Sequence, residues 1–245
     1  MLIRFLFFGL FLLSCKKEID LKPLAEAEQQ IAHDLFERHL LAIGGRTALE
    51  GHRSLILKGS LEELGTGQRN SFTIERKAPN FYYIRINLIG VGIFERGFDG
   101  VNFWERTPRS SRIFSTEEVA NLAPDIDFYS DINWRKWYPT MLKIEEAEFG
   151  GEPCSVLTVE NHLSQREQLI FSKDTGLKIG RIKDLGQETP TVIRFGQYIS
   201  QDDIKYPMMI EEKRGDLHKL WLINNLSRDK ITVDFRPPPN LVQEQ

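Results

Sequence analysis

Cysteine is scarce in this chain: 245 residues hold two, Cys15 and Cys154. That excludes a disulfide-stapled scaffold and leaves no C-x-x-C pair for a zinc or redox site. An excess of one charge is lacking as well. Basic and acidic residues number 32 and 35, are mixed along the chain, and give a net charge of -3. A nucleic-acid binder needs a basic face, and none is present. The five histidines, His33, His39, His52, His162 and His218, are scattered. His33 and His39 do not have the i, i+4 spacing that places two metal ligands on one helix face. No G-x-S-x-G elbow and no Walker loop occurs. Glu145, Glu146 and Glu148 read as a solvated edge strand, not as an acid/base pair. The expectation is a chain without catalytic residues, metal or cofactor, and not an enzyme. Long apolar runs are also missing. The one near the start, Phe5 to Leu13, is too short to span a bilayer as a helix. There is no internal repeat and no low-complexity stretch.

That start carries information. Arg4 precedes the apolar run, and the small residue Ser14 follows it, which is the layout of a secretory signal. Leu12-Leu13-Ser14-Cys15 resembles the bacterial lipobox. The resemblance implies cleavage before Cys15, diacylglycerol on its sulfur and a further acyl chain, such as palmitate, on the new amino terminus. Two or three chains anchor a protein stably, where one holds marginally. Residues 1–14 are then a signal peptide, residues 15–24 a lipid-anchored tether, and residues 25–245 a single domain. Lys16 and Lys17 are a weak basic contact for anionic lipid. With Cys15 lipidated, Cys154 is left as a lone thiol and reads as a buried small hydrophobe.

The rest is globular in composition, with 41% apolar and 27% charged residues. Residues 25–43 read as a helix, with Ile31, Leu35, His39 and Ala42 as its apolar stripe, widened by Leu40 and Ile43. Gly44-Gly45 stops it. Alternating runs follow at 54–61, 71–76, 81–88, 93–98 and 102–106. More lie at 141–149, 153–161, 166–172, 177–183, 189–199, 206–213, 217–225 and 230–236. Short strands at this spacing predict an antiparallel meander, sandwich or barrel. Residues 107–140 interrupt them. Ser115-Thr116-Glu117-Glu118 resembles a helix cap, and Phe128, Tyr129, Trp134, Trp137 and Tyr138 need a surface to bury them.

The order of motifs is similar to that of the LolA/LolB-like group of bacterial outer-membrane lipoprotein-sorting proteins. A helix ending in AIGG-RTALEG (Ala42–Gly51) leads into SLILKGS, and FDG-x-x-x-W (Phe98–Trp104) follows. Phe149–Leu157, Phe171–Leu177 and Ile204-Lys205-Tyr206-Pro207 complete the series. The resemblance covers nearly all of the mature chain. It implies a mainly β fold with α: an unclosed, strongly curved antiparallel β-barrel of about 11 strands, an N-terminal helix, and a helical lid on the concave side. It also implies an apolar cleft between sheet and lid that takes acyl chains or another hydrophobic ligand, in lipoprotein or lipid transport across the envelope. The location it implies is the cell envelope. Lys16 stands where aspartate would retain an enterobacterial lipoprotein at the inner membrane, which favours the outer membrane, facing the periplasm.

Strand alternation selects the candidates for the cleft. Leu55, Leu57, Leu61, Phe72, Ile74, Tyr82, Ile84, Ile86 and Trp104 face inward together, and Phe128, Trp134 and Trp137 come from the lid. The same residues serve a solid core equally well, which leaves a second reading open: an adaptor lipoprotein with a filled core and an envelope protein partner. Leu88, Ile89 and Val91 either continue the strands or form an exposed apolar tip. In the group's membrane-anchored receptor a loop at this place works on lipid or cargo, so the tip is a candidate membrane or cargo contact.

Overall fold

The computed structural model describes residues 21–228, 230–239 and 241. The signal segment, Cys15 and most of the tether lie outside the described residues. The N-terminal half runs α1 (Glu26–Ala42), α2 (Gly45–Glu50), β1 (Ser54–Glu63), β2 (Gln68–Lys77), β3 (Phe81–Leu88), β4 (Gly92–Phe98), β5 (Phe103–Arg106) and β6 (Ser111–Ile113). Two helices follow, α3 (Thr116–Ile126) and α4 (Trp134–Trp137). The second half is β7 (Thr140–Phe149), β8 (Glu152–Glu160), β9 (Arg166–Ser172), β10 (Lys178–Lys183), β11 (Thr191–Gln201), β12 (Ile204–Arg214) and β13 (Leu217–Ser227).

Among the described residues all the strands form one antiparallel sheet of 13, in the order β6-β5-β4-β3-β2-β1-β13-β12-β11-β10-β9-β8-β7. It does not close. Each half is a meander of hairpins, and β1 joins them by pairing with β13. The sheet has two more strands than the expected 11, and its free margins, β6 and β7, are joined by residues 114–139. This segment carries α3 and α4 and packs on the same face of the sheet as α1. Ile126, Val119 and Leu122 meet Phe98 and Phe103 on one arm. Trp134, Trp137 and Phe36 meet Leu157, Leu169 and Phe171 on the other.

Helix α1 is rotated from the expected stripe. Ile31 is exposed, and the buried line is Ala32, Phe36, His39, Leu40 and Ile43. Phe36 sets the rotation, because its ring stacks on Trp134 with centroids 4.2 Å apart. Gly44, at φ +129°, ends the helix against the β11–β12 turn, where a Cβ would lie 2.3 Å from the Asp203 carbonyl oxygen. Tertiary contact thus demands glycine here in addition to the backbone angle.

Residues 230–236 form no strand. Instead Ile231, Val233 and Phe235 pack on the outer face of the first arm against Tyr83 and Trp104. The Pro237-Pro238-Pro239 run follows a strap, not a ladder, because no free strand edge is available beyond β13.

Candidate functional site

The segment between the margins folds from local signals. Ser115 Oγ accepts from the Glu118 N–H, and the Glu118 carboxylate accepts from the Ser115 N–H at 2.9 Å, forming a capping box. Pro124 lies inside α3 and has no N–H for the Ala120 carbonyl. That carbonyl accepts instead from His162 Nε2 at 2.9 Å, so a helix irregularity becomes a tie to the β8–β9 turn. Beyond α3, the Asp127 carboxylate accepts from Tyr129 N–H, Asn133 Nδ2 and the buried Trp137 Nε1 at 2.8–2.9 Å. One carboxylate thus organises the turn into α4.

A cavity of about 390 Å³ lies between this lid, α1 and the sheet. That is within the range of small-ligand sites, ~300–1,000 Å³. Its apolar wall includes Phe36, Ile43, Leu55, Leu57, Ile132 and Phe171, and Phe195 and Tyr198 contribute from β11. Its other wall is charged, and that wall fastens the lid to the sheet.

Three fastenings are visible. Arg76 on β2 donates through Nη2 to the carbonyls of Asp125 and Asp127, at 3.2 and 2.8 Å. It forms no ion pair among the described residues, and its buried Nε has no partner. On β10, Arg181 donates to the Asp125 carboxylate at 2.7 Å and to the buried Glu167 at 2.6 Å, while Lys183 Nζ adds a bond to Asp125 at 3.2 Å. Partial desolvation under the lid opposes charge on Asp125, but Arg181 and Lys183 outweigh it and hold the carboxyl well below the usual range. Asp131 follows the same logic: burial opposes its charge, but Lys178, at 2.7 Å, and His39, at 3.5 Å, prevail. His39 is kept neutral by burial, with its pKa lowered. Its Nδ1 accepts from the Lys178 N–H at 3.0 Å, which places the ring proton on Nε2, toward Asp131.

The expected cleft residues divide into three groups. Leu55, Leu57, Phe128, Trp134 and Trp137 line the cavity. Leu61, Phe72, Ile74, Tyr82, Ile84 and Ile86 share the inner face but pack in a cluster with Ile223 and Trp221 and do not line it. Trp104 corrects the alternation. It pairs with Gly97, which pairs with Tyr83, so it faces outward, opposite to Tyr82 and Ile84. Gly97 makes room for the indole, since a Cβ there would sit 2.5 Å from it. Trp104 Nε1 then donates to the Phe235 carbonyl under the C-terminal strap, at 2.8 Å. At the β3–β4 hairpin, Leu88 is half-buried, while Ile89 and Val91 are 69% and 55% exposed. Cys154 is fully buried, and burial raises its thiol pKa. Glu145, Glu146 and Glu148 are exposed on the marginal strand β7. No cluster of histidine, cysteine, aspartate and glutamate among the described residues is arranged to hold a metal ion, and no described helix is long and apolar enough to cross a membrane.

Sequence reasoning missed Arg76, Asp125, Asp131, Lys178 and Arg181. Arg76 sits two residues after Ile74 on an inward-facing strand position, and a charge at such a position was the available signal.

No protein-family model matches the chain, and no curated protein does. Solved structures do. A DUF1329 family protein from Desulfovibrio piger is 14% identical with a TM-score of 0.55, covering 80% of this chain and 92% of its own. A LolA superfamily protein from Nitrosomonas europaea is 11% identical with a TM-score of 0.54, covering 82% and 94%. The domain of an outer membrane lipoprotein-sorting protein from Vibrio parahaemolyticus is 11% identical with a TM-score of 0.52, covering 82% and 92%. The chain has the LolA-like fold: a mainly β, unclosed antiparallel sheet with helices across one face.

Proposed function

We propose that this protein is a lipid-anchored envelope lipoprotein that binds an acyl chain or comparable hydrophobic ligand in the cavity between sheet and lid. The carrying observation is the cavity itself, about 390 Å³ and walled on one side by Phe36, Ile43, Leu55, Leu57 and Phe171. The likeness to a LolA superfamily protein and to a lipoprotein-sorting domain supports a role in lipoprotein or lipid handling. Binding draws on burial of the chain, about 0.8 kcal/mol per methylene. The activity is binding and release, not catalysis. Cys15 holds the protein to the membrane, at the outer membrane facing the periplasm. The exposed tip at Ile89 and Val91 is the part of the molecule suited to touch lipid or cargo, since apolar side chains at a hairpin tip otherwise face water.

Mass spectrometry of an organic extract of the natively purified protein tests the reading. Acyl lipid in near-stoichiometric amount is expected. An extract without lipid, together with no uptake of an apolar fluorophore, sinks it and leaves the adaptor reading. The anchor is tested separately: Cys15→Ser should give an unlipidated precursor or a soluble product, and a variant that stays membrane-bound with wild-type mobility refutes lipidation at Cys15.

A further inference from the structure

A second cavity of about 380 Å³ lies beside the first, lined by Phe149, Leu177, Ile179 and Met209 and rimmed by Glu152 and Arg194. The two share two wall residues, Phe195 and Tyr198. The sheet is incomplete where they meet. β11 pairs with β10 from Gly180↔Arg194 to Lys183↔Thr191 and no further, although its pairing with β12 continues to Gln201↔Ile204. From Phe195 onward β11 therefore runs beside the start of β10 without a ladder. β10 is irregular at the same level, with a register shift between Lys178 and Gly180.

β11 is strained there as well. Gln197 has φ +53° in mid-strand, a left-handed angle that non-glycine residues rarely take. In a regular strand, residues three apart face opposite sides. Phe195 and Tyr198, on either side of Gln197, nonetheless both line the interior cavity. One bond crosses the gap in place of the missing ladder: Tyr198 OH donates to the Lys178 carbonyl at 2.7 Å.

We propose that the second chamber is an alkyl-chain subsite joined to the interior cavity through the gap between β10 and β11, with Phe195 and Tyr198 as its gate. This rests on the proposed function and extends it, because it names the ligand class: an amphiphile whose long unbranched chain outgrows the interior cavity. A slot between two neighbouring strands admits a linear chain and refuses a head group. The apolar lining suits methylenes, and the flexible thioether of Met209 adapts to a chain end. The charged rim of Glu152 and Arg194 stays in water at the outer mouth.

Stopped-flow quenching of the protein's tryptophans by dibromostearic acid tests the gate, using the full chain. Tyr198→Phe removes the bolt and little else. Its association and dissociation rate constants should rise together, by roughly 2–10-fold, the span of one net hydrogen bond. Phe195→Trp should lower both together. Unchanged rates, or a rise in dissociation alone, overturn the gate and assign entry to the lid. A second measurement addresses the chamber through alkanoic acids of increasing length. Wild-type affinity should climb about fourfold per added methylene while the chain finds new apolar surface. Met209→Trp fills the outer chamber and should stop the climb at a shorter chain. An identical length series in both proteins overturns the subsite even if the rates respond. Failure of the underlying reading looks different: no quenching in the wild type at all, which removes the proposal with it.

Discussion

Replacing Arg181 by Met should be among the most damaging single changes to the folded protein. The guanidinium lies between Glu167 at 2.6 Å and Asp125 at 2.7 Å. The Glu167 side chain is 3% exposed and that of Arg181 10%. Methionine keeps the stem's volume but leaves Glu167 buried with one remaining donor among the described residues, Asn161 Nδ2 at 2.8 Å. Removing one partner of such a pair costs about 3–5 kcal/mol, most of it the penalty of an uncompensated buried charge. Asp125 suffers less, because it keeps Lys183 and is 45% exposed. The double variant Arg181→Met with Glu167→Met removes the stranded charge, so its cost should fall below about 2 kcal/mol, a coupling of more than about 1 kcal/mol. Urea denaturation at neutral pH, with an unchanged denaturant slope, measures all three variants. If the single variant loses less than about 1 kcal/mol, the charge is not buried as argued. If the double variant costs the sum of the singles, the two side chains act independently and the fastening on β10 is wrongly described.

The remaining predictions concern packing and pH. Ile84 sits 5% exposed in the solid cluster beside the cavity, so Ile84→Ala should cost about 2–5 kcal/mol and Ile84→Trp about 1–3 kcal/mol by overpacking. Thermal or urea unfolding decides, and a near-zero cost for both would place Ile84 at an empty space. His39 is buried with its pKa lowered, so the unfolded chain binds a proton that the folded chain excludes. Stability should therefore fall as pH drops below about 6.5, the ordinary histidine value, and show no contribution from this group above it. His39→Gln should flatten that slope relative to wild type; a parallel slope in the two proteins would show that another group is responsible.

The fold was largely legible because its signals are local. Alternation with turn residues such as Asp99-Gly100 and Gly150-Gly151 marked strands that the structure contains, and the Ser115 capping box marked α3. Two errors come from reading alternation alone, which gives relative faces within a segment but neither the face the helices cover nor whether the segment pairs. Trp104 was assigned inward by alternation alone, and its pairing with Gly97 and the strap at residues 231–235 decided otherwise. The strap itself read as a strand, since Ile231, Val233 and Phe235 alternate whether they pair with a neighbour or lie across a sheet. For the site, the apolar half was visible as Leu55, Leu57 and the lid aromatics. The charged half was not. Arg76, Arg181 and the lid carboxylates Asp125 and Asp131 come from three distant parts of the chain, and no spacing rule links them until the sheet brings them together. The strain at Gln197 has no sequence signature, because glutamine is an ordinary strand residue.

The connection between β6 and β7 has a mechanical meaning. The two margins of the sheet are neighbours in the chain, so the lid is strung between them like the string of a bow whose limbs are the two arms. Its contour is fixed by covalent bonds, and its folded span by α3, α4 and the turn between them. A guest that spreads the limbs must draw the string taut, and a string that slackens lets them spring inward. Arg76 on one limb and Arg181 with Lys178 on the other pin the string near its middle. Capacity and cover are therefore a single variable in this molecule: widening the interior and straining the pins are the same motion.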